Sequence, residues 1–313
     1  MASIWTRMKE FWALLKETYA NWNEREPFNN SIIIAYYTIF SLPGLLVILI
    51  NIAGYFFDTK QVTQQVMNQM QHLTGGNTAK DIEGIVTQAS SMHGTVISTI
   101  LSIATLLFGA TGVFYQLQQI LNKMWEVAPS PKQKFLKLVK DRVFSFGLIL
   151  VIGFLMLVSL VLSAAVSALS DWVTHHLSSS LVFLFGALDF LLSLGVITVL
   201  FAAMFKFLPD AKVRWRDVWI GATLTAVLFT IAKLALGLYF GKSNPGSAYG
   251  AAGTIILVML WVSYAGLIVL FGAEFTQVYA NRYGMKVQPA EGAISTTGKD
   301  DNGAILEKKN NAA

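Results

Sequence analysis

Residues 181–208 read Leu181-Val-Phe-Leu-Phe-Gly-Ala-Leu-Asp189-Phe-Leu-Leu-Ser-Leu-Gly-Val-Ile-Thr-Val-Leu-Phe-Ala-Ala-Met-Phe-Lys206-Phe-Leu208. Only two charges, Asp189 and Lys206, interrupt the run. A helix rises about 1.5 Å per residue, so a bilayer core of about 30 Å is crossed by roughly 20 apolar residues. This stretch is long enough. Its apolar residues are continuous and do not alternate with polar ones, as the strands of about 10 residues in an outer-membrane barrel do. Working outward from it, five further runs of this kind occur at about 32–57, 95–118, 143–169, 218–240 and 251–280. The expected fold is therefore an all-α integral membrane protein, a bundle of six transmembrane helices over residues 29–284.

Composition agrees. The 313 residues are 54% hydrophobic and 13% charged, against about 25% charged in soluble domains. Twenty-one Phe, 10 Tyr and 8 Trp exclude a wholly disordered chain. There is no Cys, which excludes disulfides, thiolate metal sites and cysteine nucleophiles. Net charge is +5. In a soluble protein that balance would point to nucleic acid; here the cations sit beside the apolar runs.

Their distribution gives a direction. Lysine and arginine concentrate in the 1–31, 119–142, 209–217 and 281–313 segments, 18 of the 23, whereas Lys60, Lys80 and Lys242 alone fall on the other side. Lys206 and Lys233 lie inside spans. Basic loops stay in the cytoplasm, so both termini are expected there, in a multi-pass protein of a bacterial inner membrane. The first 30 residues carry Lys, Arg and Glu and lack an apolar h-region, so no cleavable signal is expected.

Residues 1–28 have their own pattern. Trp5, Met8, Phe11, Trp12, Leu15, Tyr19 and Trp22 recur at helical spacing among Arg7, Lys9, Glu10, Lys16 and Glu17. That predicts an amphipathic helix, either lying in the cytoplasmic interface or packed beneath the bundle. The 58–94 loop is the longest on the outer side, with weak helical faces at Val62, Val66, Met70 and Leu73 and again over 82–89. On the cytoplasmic side, Lys132, Lys134, Lys137, Lys140 and Arg142 lead into the third span, and Arg214 and Arg216 into the fifth. Each cation near an anionic surface contributes about 1 kcal/mol, so these seven are read as anionic-lipid contacts. Residues 285–313 turn polar and are expected to be a disordered tail.

Polar groups inside the spans are the candidates for function, because an ionised side chain at the bilayer centre costs about 2.5–3.5 kcal/mol. Asp189 and Lys233 lie at similar distances from the outer ends of consecutive spans and are expected to form an ion pair, functional as a gate or ion site or structural as a register lock. Glu274, Gln116, Tyr36, Tyr37 and Lys206 lie near the cytoplasmic ends of their spans. With the break expected at Ser41-Leu-Pro43-Gly, they are candidates for a substrate pathway. Gly237 and Gly241 have the spacing of a helix-packing pair.

Four stretches then carry a resemblance. They are Tyr36-Tyr-Thr-Ile-Phe-Ser-Leu-Pro43, Gly109-Ala-Thr-Gly-Val-Phe-Tyr-Gln-Leu-Gln-Gln-Ile-Leu-Asn-Lys-Met-Trp125, Leu208-Pro-Asp-Ala-Lys-Val-Arg-Trp-Arg-Asp-Val-Trp-Ile-Gly221, and Ala248-Tyr-Gly-Ala-Ala-Gly253 running on to Trp261 and Phe271-Gly-Ala-Glu-Phe275. Over about residues 10–284 the chain resembles the YihY/BrkB family of bacterial inner-membrane proteins. The resemblance implies six spans with cytoplasmic termini. Members have carried the names ribonuclease BN, virulence factor and serum-resistance factor, and are described as transporters. Tyr36, Pro43, Asn122, Gly253, Trp261 and Glu274 match the family pattern, without a role attached to any of them.

The residues argue against a nuclease. Hydrolysis of RNA needs a general base or metal cluster facing the cytoplasm. The four histidines, His72, His93, His175 and His176, all fall on the outer side, and the cytoplasmic carboxylates have no ligand spacing. No catalytic residue, metal or cofactor is expected, no nucleic-acid partner, and no enzyme. Three readings stay open: a transporter or exporter of a small solute, a lipid translocase or lipid-binding envelope protein, and a non-transporting scaffold. Lipid headgroups are the expected partners, the substrate is unknown, and an oligomer is compatible with each reading.

Overall fold

The computed structural model describes residues 4–56, 64, 112–130, 182–243 and 253–296. Most of the expected second span, the third span, the 58–94 loop apart from residue 64, the four histidines, the basic run from Lys132 to Arg142 and the tail beyond residue 296 lie outside the described residues.

Helix α1 covers Ile4–Glu24 and α2 covers Pro27–Phe56. Pro27 sits at the first helical position, where its missing N–H costs nothing. The corner between the two helices is turned by Glu26 at φ 54°. Helix α3, described over 112–124, leads into strand β1, Val127–Pro129. Helix α4 is Val182–Phe207, β2 is Ala211–Lys212, α5 is Trp215–Ser243 and α6 is Gly253–Tyr283. Strands β3, Gln288–Pro289, and β4, Ala293–Ser295, follow. The protein is thus mostly helical. Among the described residues, three segments are long and apolar enough to cross a membrane: Gly186–Phe207, Trp215–Phe240 and Ile255–Tyr283.

Helix α6 is the centre, packed by α1, α2 and α5, with α4 laid against α5. The α5–α6 crossing is set by two matched pairs of small residues. Thr276 of α6 sits over Gly221 of α5, and Thr225 of α5 sits over Gly272 of α6. Each threonine hydroxyl donates to the glycine carbonyl one turn earlier on its own helix, both at 2.7 Å. The hydroxyls are thereby satisfied and the two backbones approach closely, the arrangement that apolar surroundings favour. At Gly237, by contrast, an added Cβ would meet nothing within 4 Å among the described residues.

The core gathers at one end of the bundle, around Leu121, Met124, Trp125, Phe205, Leu208, Val218 and Leu270. The outer faces of α4 and α5 leave Leu191, Ile231, Leu234 and Leu238 exposed, which suits lipid and not water.

Two sequence expectations change. Helix α2 runs through Ser41-Leu-Pro43-Gly without interruption. Ser41 is buried and its hydroxyl donates to the carbonyl of Thr38 at 3.1 Å, within the helix. The 285–313 segment is not disordered over its first part. β1 pairs with β4 (Val127↔Ser295, Pro129↔Ala293) and β2 with β3 (Ala211↔Pro289, Lys212↔Gln288), both antiparallel. Gly292 at φ 80° turns the chain between β3 and β4. The pairing is carried by backbone groups, which a polar, glycine-containing sequence does not advertise.

Candidate functional site

At the core-bearing end, the corner between α1 and α2 directs Arg25 inward. Its Nη1 donates to the Lys123 carbonyl at 2.6 Å, and its Nη2 to the Glu126 carboxylate at 2.8 Å and to Gln277 Oε1 at 3.2 Å. Its Nε lies 2.9 Å from Glu274 Oε2. Glu274 is fully buried, and its oxygens accept no well-aligned hydrogen bond. It is therefore held by charge, in a geometry where the guanidinium is the counter-ion. One arginine joins the α1–α2 corner, the end of α3 and the last third of α6. Apolar contacts close the hub. Trp22 packs edge-on against Phe271, and the Trp125 indole N–H donates to the Ala273 carbonyl at 3.1 Å.

The substrate-pathway candidates named with Glu274 are not brought to it. Among the described residues the ion-pair partner of Glu274 is Arg25, which in turn holds Glu126 and Gln277; Gln116, Tyr36, Tyr37 and Lys206 are not paired with it. Tyr36 and Tyr37 face outward with Phe40 and stack on one another's edges. Gln116 is half-buried on α3. Lys206 donates to the Val213 carbonyl and lies over the Trp215 ring. Pro43 lies within the unbroken α2. Similar depth along a bundle does not place side chains on one face, and that is where the expectation failed.

The Asp189–Lys233 pair is not formed either. Among the described residues no ion pair joins them, and Asp189 Oδ1 is buried without a hydrogen-bond partner. The cause is helix stagger. Phe201 meets Phe229 edge-on at 5.5 Å across α4 and α5. Counting from that contact, the level of Asp189 on α5 is Gly241, about eight residues or 12 Å beyond Lys233.

A second clamp fastens the turn after α4. Asn122 Nδ2 donates to Asp210 Oδ2 at 2.9 Å, and the Asp210 amide donates to Asn122 Oδ1 at 2.8 Å. Beside it the surface is basic. A cleft of about 310 Å³ is lined by Arg214, Arg216, Asp217, Tyr279 and Tyr283. Asp217, buried in the first turn of α5 where the helix dipole favours an anion, accepts from Arg214 Nε at 3.1 Å. A second cleft, about 370 Å³, is lined by Lys206, Lys212, Val213, Arg214, Trp215, Met285, Lys286 and Gln288. Arg214 lines both clefts and Arg216 the first. Arg25 and the α5–α6 threonines were missed. The signals existed: a lone arginine in a helix–Pro corner, and glycine–threonine pairs four apart on adjacent spans.

Long apolar helices, packed by small residues and rimmed by cations, define an integral membrane protein. The sequence profile of the family described as "Virulence factor BrkB" matches residues 18–294. The chain belongs to that family. Its relatives are known as UPF0761 membrane proteins. That of Tolumonas auensis is 33% identical over 195 residues, 61% of this chain and 59% of the relative. That of Delftia acidovorans is 30% identical over 201 residues, 63% of this chain and 45% of the relative. That of Aeromonas salmonicida is 27% identical over 250 residues, 78% and 80% of the two chains. The chain therefore spans about half the length of several curated relatives it matches. No solved structure matches it.

Proposed function

We propose that this is a six-span inner-membrane protein whose basic end faces the cytoplasm and engages anionic lipid headgroups. One observation carries the reading. The ends of Gly186–Phe207, Trp215–Phe240 and Ile255–Tyr283 that meet at the core bear Lys206, Lys212, Arg214, Arg216, Arg282 and Lys286. Exposed Trp215, Trp219 and Tyr283 stand among them. Aromatics at headgroup depth and cations reaching lipid phosphates are the two signatures of a cytoplasmic interface. Helix α1 extends the face. Leu14 and Leu15 pack against Phe275, Val278 and Tyr279 of α6, while Trp5, Met8, Trp12 and Tyr19 stay exposed on an adjoining strip. In this reading α1 packs on the bundle by one face and offers the other to the interface.

The exposed tryptophans provide the test. With full-length protein in vesicles, brominated phosphatidylglycerol is expected to displace unbrominated phosphatidylcholine from the tryptophans at least about threefold more effectively than brominated phosphatidylcholine does. The preference should shrink in 0.5 M salt, as screening requires. Equal quenching by the two lipids would sink the reading.

A second reading, transport of a small solute, rests on Asp189. Asp189 is half-buried in a spanning helix, with Oδ1 inaccessible and without a hydrogen-bond partner; a carboxylate so placed is expensive and suits a coupling-ion site. Proteoliposomes loaded with a pH-sensitive dye should then equilibrate protons faster with the wild type than with Asp189→Asn. Identical rates from both, at the level of empty vesicles, would remove this reading. A scaffold is what remains if neither measurement responds.

A further inference from the structure

The cleft lined by Lys206, Lys212 and Lys286 has a composition that neither the fold nor the general basic rim requires. Its described lining holds four cationic side chains and no carboxylate. Arg214 is answered by Asp217 from outside the cleft, at 3.1 Å. Lys212 and Lys286 have no ion-pair partner among the described residues, and Lys206 has only the Val213 carbonyl and the Trp215 ring. Three uncompensated like charges converging on one cavity repel each other, and an anion between them relieves that repulsion.

The convergence is built by the fold. The β2–β3 register sets Lys212 opposite Gln288, which draws Lys286 to the same cleft. The end of α4 supplies Lys206. The Lys206 ammonium is oriented in advance by its carbonyl and its aromatic ring, so little order remains to be imposed on binding.

One wall is apolar in a particular direction. Phe207 meets Trp215 edge-on at 5.6 Å, and Trp215 lies 6.5 Å from Trp219, one turn further along α5. All three rings are roughly half exposed, at 43, 46 and 42%. This aromatic ladder climbs from the cleft along the outside of a spanning helix. A free inorganic anion has no use for it; a lipid whose headgroup sits in the cleft would lay its glycerol and upper acyl chain along it.

We propose that this cleft is a binding site for the phosphate of an anionic phospholipid, held by Lys206, Lys212 and Lys286 with its acyl region against Trp215 and Trp219. It rests on the lipid reading above, sharpening a diffuse charged rim into one defined site.

The test is native mass spectrometry of the full chain in detergent, titrated separately with phosphatidylglycerol, phosphatidylcholine and inorganic phosphate. The wild type should bind a first phosphatidylglycerol in preference to phosphatidylcholine. The double variant Lys212→Gln/Lys286→Gln, both at exposed positions, should bind it about tenfold more weakly, with phosphatidylcholine adducts unchanged. Arg216→Gln, outside this cleft, should change the first phosphatidylglycerol less than about twofold. Elution volume and thermal midpoint establish that each variant is folded; if the double variant is not, Lys286→Gln alone carries the comparison. Wild-type binding by the lysine variant overturns the site while leaving the lipid reading intact. No preference for phosphatidylglycerol in the wild type overturns both. Displacement of the lipid by millimolar inorganic phosphate would assign the cleft to a free phosphate and overturn the lipid assignment.

Discussion

Replacing Arg25 with methionine is expected to cost about 3–5 kcal/mol of stability, because it leaves a buried charge without its counter-ion. Glu274 is completely inaccessible, and the Arg25 Nε at 2.9 Å is its ion-pair partner among the described residues. The same substitution also removes the donors to Lys123 O, Glu126 and Gln277 Oε1. Unfolding in mixed detergent–SDS micelles, followed by tryptophan fluorescence, reads the loss. The double variant Arg25→Met/Glu274→Leu should recover a large part of it, since an apolar pair of similar volume often replaces a buried ion pair at little cost. A coupling energy of about 2 kcal/mol or more between the two positions is the expected result. If the two single losses simply add, the residues do not act as a pair, and Glu274 regains its place as a candidate for the substrate pathway.

The next largest effect is steric. A Cβ added at Gly221 would stand 1.8 Å from Thr276 Oγ1 and 2.8 Å from Thr276 Cβ. One added at Gly272 would meet Thr225 Oγ1 at 1.8 Å and Thr225 Cβ at 2.8 Å. Neither threonine turns away cheaply, because its hydroxyl is committed to a carbonyl and its side chain is fully buried. Gly221→Ala should therefore cost about 1–3 kcal/mol, and Gly221→Val more, by forcing the two helices apart. Thr276→Gly placed beside Gly221→Ala should restore most of the loss. On the same helix, Gly237→Ala meets nothing within 4 Å among the described residues and should be neutral or stabilising by up to about 1 kcal/mol. Thermal midpoints of the four variants in one detergent decide the matter; equal behaviour of Gly221→Ala and Gly237→Ala would mean that α5 and α6 do not cross at these residues.

The limits of sequence reasoning follow the same division between composition and lateral contact. The helices around 181–208, 218–240 and 251–280 were legible because crossing a bilayer demands length and continuous apolarity, which a single chain displays directly. The partner of each polar group was not. Asp189 and Lys233 are equally deep by residue counting, yet the α4–α5 stagger separates them. Glu274 was recognised as expensive, but its neutralising arginine lies 249 positions earlier in the chain, beyond any local pattern. The paired strands after Gly284 were hidden because backbone hydrogen bonds leave little mark on composition. Among the residues matching the family pattern, Asn122 clamps Asp210, Trp261 packs edge-on against Phe229, and Glu274 neutralises Arg25. Each has a packing role, so the match by itself is no sign of a substrate.

This shifts attention from the bundle interior to its basic end. The most direct measurement is the composition of the lipid shell retained when the protein is extracted from its native membrane in polymer-bounded nanodiscs. The shell is expected to be enriched in anionic phospholipid at least about twofold over the bulk membrane, with the enrichment reduced when Lys206, Lys212 and Lys286 are all changed to glutamine. A shell with the bulk composition, in the wild type and in the triple variant alike, would contradict it.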